Sequence, residues 1–143
     1  MDEMSRQNVL AVVTEEWGNY VREFKNLSPE AQAAFLEKQG YKRLADLLAH
    51  IAAWWEEGMQ AIMSYKSDAD ARPPEIDVDT FNADAVEKVR SLSEAEVVQS
   101  FEKMRRKFAG VISELSDDDF QDERITNQIR MELVNHLEDH RIN

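Results

Sequence analysis

Ile125, Ile129, Leu133 and Leu137 recur at every fourth position, which an α-helix turns into one apolar stripe. At roughly 100° per residue, His136 and His140 fall inside that stripe and not on its polar back. A stripe of this kind needs partners to cover it. Three other stretches supply them. Leu10, Val13, Trp17, Tyr20, Val21 and Phe24 mark a helix from an N-cap at Ser5 to about Lys25. Leu44, Leu47, Leu48, Ile51, Trp54, Trp55, Met59 and Ile62 mark a second from about Lys42 to Tyr65. Ser93-Glu94-Ala95-Glu96 is a capping box, and the helix behind it turns Val97, Phe101, Met104, Phe108 and Val111 inward as far as Leu115. Four inward-facing stripes predict an all-α four-helix bundle.

Shorter pieces fill the gaps. Ser28-Pro29-Glu30 reads as a helix start and Gly40 as its end. Residues 66–80 are expected to be one long irregular connection, because Pro73 and Pro74 stop any helix there. Such a connection is a crossover or a lid. Its acids lack the glycine and terminal glutamate of a calcium loop. Asn82 is expected to cap a helical segment over residues 83–91. The 143 residues carry no fixed-period repeat and suit one domain, 1–143.

The net charge is −12, which opposes phosphate backbones and anionic lipid, so neither a nucleic acid nor a membrane is expected as partner. With no cysteine, thiol nucleophiles, thiolate metal sites and disulfides are excluded. The polar start and the lack of a long apolar run lead to the expectation of a cytoplasmic protein.

Chemistry then rests on histidine. The chain has three: His50, at the edge of the second helix's buried face beside Trp54, and the pair four residues apart. Two readings fit the pair. They are core histidines bonded to carboxylates or carbonyls, or they share a metal ion. A buried ring needs a partner either way, since leaving it unpaired costs about 1–3 kcal/mol. Imidazole favours zinc or nickel over magnesium or calcium. An open coordination position would activate a water or polarise a substrate thiol or carbonyl. Asp46 or Glu57 near His50, and Glu132 or Asp139 near the pair, are the expected orienting carboxylates. Glu132, four residues before His136, is a candidate for fourth ligand or general base. Trp54 and Tyr20 are candidates for the wall of a substrate cleft.

Two motifs resemble those of a known group. Leu47-Leu48-Ala49-His50-Ile51-Ala52-Ala53-Trp54-Trp55-Glu56 is similar to the second-helix signature of the DinB-like superfamily of four-helix bundles, and His136-Leu137-Glu138-Asp139-His140 to its C-terminal histidine pair. The Phe81-Asn82-Ala83 stretch and the Phe-rich helix after it resemble the ClbS/DfsB branch. The resemblance implies an up-down-down-up bundle with its long crossover between helices two and three. It implies a metal triad of His50, His136 and His140 holding nickel or zinc, and possible homodimers. It implies a metal-dependent hydrolase or thiol-type transferase acting on a small molecule in detoxification or stress protection. The alternative is a metal-free bundle that binds or sequesters a small molecule.

Overall fold

The computed structural model describes residues 4–142, and among these residues there are helices and turns but no strand. The first helical rod starts on Ser5, whose Oγ accepts the Asn8 N–H. It runs as α1 (Arg6–Ala11), a π turn (Val12–Glu16), a 3-10 turn (Trp17–Asn19) and α2 (Tyr20–Lys25). The expected single helix is therefore wound at three pitches. α3 (Pro29–Gln39) begins on the Ser28 cap and stops at Gly40. With φ of 85°, Gly40 adopts the left-handed conformation that a Cβ disfavours.

α4 (Leu44–Ser67) is the longest helix. It runs two residues past its expected end, because nothing interrupts it before Asp68. Arg124 then closes that end, donating to the carbonyls of Tyr65, Asp68, Ala69 and Ala71. α5 (Val78–Lys88) starts on Asp77, whose Oδ1 accepts the Thr80 N–H. The irregular stretch is thus 68–77 and not 66–80. Asn82 is not a cap; it lies inside α5, with its side chain turned toward α4. Asp77 wins the cap because its carboxylate reaches the third residue on, one turn ahead of Asn82.

α6 (Glu94–Glu114) carries the expected capping box, with Ser93 and Glu96 bonded reciprocally. A 3-10 turn (Asp119–Gln121) follows, with Phe120 packed against the core and Arg6 over its ring. The last rod is α7 (Glu123–Ile129), a π turn (Arg130–Asn135) and α8 (His136–Asp139).

α4 lies centrally, packed on α5, α6 and α7. The core is an aromatic stack. Trp17 meets Trp55 edge-on at 5.0 Å, and Trp55 stacks on Phe101 at 5.0 Å. Both indoles are fully buried, so each N–H needs an acceptor. Trp17 Nε1 donates to the Leu133 carbonyl at 2.9 Å and Trp55 Nε1 to the Glu132 carbonyl at 2.8 Å. Both acceptors lie in the second π turn. The first rod and α4 are therefore bonded to the same widened turn, directly ahead of His136.

Replacing Trp55 with Phe keeps an aromatic ring but removes one of these bonds. The expected loss is about 1–3 kcal/mol of unfolding free energy. Urea unfolding checks it, with the midpoint lowered and the slope unchanged.

Candidate metal centre

His50 projects from α4, while His136 opens α8 and His140 is the residue that caps its C-terminal end, one turn on. One ligand atom from each ring lies within 4.8 Å of the others. Ring centroids are separated by 5.1 Å (His50–His140), 5.5 Å (His136–His140) and 5.7 Å (His50–His136). His50 and His140 are only 8% and 9% exposed. The three rings floor a cleft of about 410 Å³ walled by Trp54, Val78 and Met131, with Asn82, Glu132, Asn135 and Asp139 also on its lining.

The hydrogen bonds fix which ring nitrogens are free. Trp54 Nε1, which can only donate, bonds Asn82 Oδ1 at 2.7 Å. The same oxygen lies 3.0 Å from His50 Nδ1, so that nitrogen must carry the proton. Gln39 Nε2 donates to the Asp139 carbonyl, which turns Gln39 Oε1 to His140 Nδ1 at 2.6 Å. His140 Nδ1 is therefore also the protonated nitrogen. In both rings the Nε2 lone pair is left for another partner. His136 Nδ1 has no hydrogen-bond partner although it is buried, and it stands alone in this among the described residues. Its nearest acid oxygen, Glu132 Oε1, is at 3.7 Å, too far for a hydrogen bond.

The expected carboxylates lie elsewhere around the rings. Asp46 is buried and bonded to Arg43 at 2.7 Å. Glu57 is half-buried, and its charge acts on Glu132. Asp139 is exposed at the cleft; its charge favours a proton on His136, and its carbonyl takes the Gln39 bond. Two carboxamides, Asn82 and Gln39, hold the rings instead. Trp54 is half-buried on the cleft wall. Tyr20 is not on that wall; it is buried behind it, and its hydroxyl donates to the His140 carbonyl at 2.6 Å. Asn82 left one signal in the sequence, its place in the Phe81-Asn82-Ala83 stretch. Gln39 left none.

Glu132 is 2% exposed, with Oε2 accepting from Gln128 Nε2 at 2.7 Å. Gly58 makes the space for it. A Cβ at Gly58 would come within 2.5 Å of Glu132 Cγ and 2.7 Å of Oε2. Burial pushes the Glu132 carboxyl up to about 8, partly opposed by the Gln128 bond. Burial pushes His136 down to about 4 and His140 to about 3, with the neighbouring imidazoles adding to both shifts. His50 is lowered for the same reason, partly offset by Asn82. At neutral pH the centre is three uncharged imidazoles beside a buried acid.

The DinB superfamily model matches residues 9–141. The chain belongs to the DinB superfamily. This DinB domain has its three histidines gathered on the floor of one cleft. No curated protein and no solved structure is significantly similar to the chain.

The three neutral imidazoles, two of them with fixed free lone pairs, fit a transition ion by donor chemistry. The same shifts set the pH dependence of the ion-free protein. Below the ordinary histidine value of 6.5 the unfolded chain takes up protons that the buried rings refuse, so stability falls on acidification toward pH 4. Between 4.5 and about 8 the folded Glu132 keeps a proton that the unfolded chain has lost, so stability falls as pH rises through that window. With three histidines against one acid, thermal melts in chelator should peak at roughly pH 6.5. Glu132→Gln should remove the alkaline decline and leave the acid one. A melting temperature that climbs steadily from pH 4 to 8 in the unmodified chain would contradict these shifts.

Proposed function

We propose that His50, His136 and His140 hold one zinc or nickel ion and that the protein is a metal-dependent enzyme acting on a small molecule, a hydrolase or a thiol-type transferase. The observation that carries this is the convergence of three uncharged imidazoles, from two helices, on a point open to a cleft. When bound, the ion would serve as a Lewis acid toward a polar group of the substrate. The chain's own residues do the rest. Asn82 and Gln39 keep Nδ1 protonated on His50 and His140 and orient both rings. Glu132 holds a proton on its carboxyl beside His136. Trp54 closes one side of the cleft, its ring 4.3 Å from Phe81. The start of α7 meets the end of α4 through Arg124 and Tyr65, and the end of the last rod meets the first turns of α4 through His140 and His50; that antiparallel run supports an up-down-down-up arrangement in which α5 belongs to the crossover.

A metal-free sequestering protein of the ClbS/DfsB type is the second reading. The apolar walls of the cleft favour it, but it gives no role to the gathering of three uncharged imidazoles at one point.

Elemental analysis separates the two. Under zinc- or nickel-replete conditions the enzyme reading expects close to one ion per chain, lost in His136→Ala. Asn82→Ala should weaken ion affinity about 10–100-fold in a competition titration. Asp46→Asn should leave it unchanged, since Asp46 serves Arg43. A protein without bound transition metal under those conditions supports sequestration.

A further inference from the structure

The cleft above the imidazoles has an unusual lining. Among the described residues, three large apolar side chains are exposed: Met63, Val78 and Met131. Two of them, Val78 and Met131, each 53% exposed, stand on the cleft, one on α5 and one on the second π turn. Trp54 stands on α4 on the same wall, its indole N–H tied to Asn82. Apolar groups from three separate elements therefore gather at one opening, with about half of Val78 and of Met131 left to water. Covering them would remove apolar surface from water, which is favourable. A fold that keeps two such residues at one polar floor offers a site for an amphiphilic small molecule.

Charge narrows the class. The ten lining residues include two acids, Glu132 and Asp139, and no lysine or arginine. The hollow on the other side of Asn82 differs: it carries Lys42, Arg43 and Arg90, with Asp46 and Glu87 paired to the two arginines. A carboxylate or phosphate on the body of a ligand would find no counter-charge among the cleft's side chains. It would also meet the field of a chain with net charge −12.

We propose that the cleft takes a small molecule with an apolar body and no acidic group, its body between Val78, Met131 and Trp54 and its polar end toward the imidazoles. This rests on reading the cleft as a small-molecule site, and not on which ion the imidazoles hold. It disfavours ligands that carry several carboxylates, acidic thiol peptides among them.

The test uses three probes with the same ring: benzyl alcohol, benzyltrimethylammonium and phenylacetate. They are titrated into the full chain in chelator, so that no ion attracts the carboxylate, with methyl NMR of Val78 and Met131 as readout. Benzyl alcohol and benzyltrimethylammonium should shift both methyl signals and bind at least ten-fold more tightly than phenylacetate. Met131→Glu, at an exposed position, should leave the melting temperature unchanged and weaken benzyl alcohol several-fold. Phenylacetate binding as tightly as the other two would overturn the proposal. So would probes that leave both methyls unmoved. Methyl signals that broaden with protein concentration alone would assign the patch to a second copy of the chain, and would overturn it too. Metal content, measured separately, decides the enzyme reading without touching any of these outcomes.

Discussion

Two indole N–H groups, on Trp17 and Trp55, bond to neighbouring carbonyls of one π turn, and the placing of the histidines depends on that junction. A π turn is wider than an α turn and shifts the phase of every residue after it. Here it lies between Ile129 and His136, so it sets the direction in which His136 and His140 leave the last rod. Trp17 comes from the first rod and Trp55 from α4. The helix that carries His50 is thereby bonded to the turn that aims the other two rings. The Tyr20 hydroxyl adds a third tie, on the His140 carbonyl at the end of the same rod.

The polar floor sits uneasily in such a core. Burial holds all three imidazoles uncharged and holds a proton on Glu132. Each of these shifts costs stability at some pH, and apolar residues of similar volume would avoid it. Gly58 sharpens the point. A glycine inside a long helix costs about 1 kcal/mol relative to alanine, yet its missing Cβ is what admits the Glu132 side chain. Departures from the packing optimum that cluster at one cleft are the physical mark of a site used for something other than stability.

Much of this was legible in the amino-acid sequence, for reasons that can be named. Helix periodicity placed Val13, Trp17, Phe101, Ile129 and Leu133 in the core, where they are fully buried. The caps at Ser5, Ser28 and Ser93 rest on local contacts over three residues, and all three are formed. The convergence of the three histidines followed from their faces together with the family resemblance. What escaped was cross-chain chemistry. Asn82 reads locally as a cap, but it lies within α5 and reaches across to His50 and Trp54. Gln39 meets His140 from a hundred residues away. Arg124 closes the end of α4 through carbonyls that carry no residue identity. Both π turns escaped as well, because a stripe with a four-residue repeat looks the same whether or not one turn is widened. Carboxylates were expected around the rings from general metal chemistry; the carboxamides do that work with no added charge.

The central claim is that one ion is shared by all three rings. Crystals grown with zinc or nickel and measured at the absorption edge of the metal test it most directly. The account predicts a single anomalous peak at about 2.0–2.1 Å from one nitrogen of each of His50, His136 and His140. A peak bound to only two of the rings, or none between them at full metal loading, would contradict it.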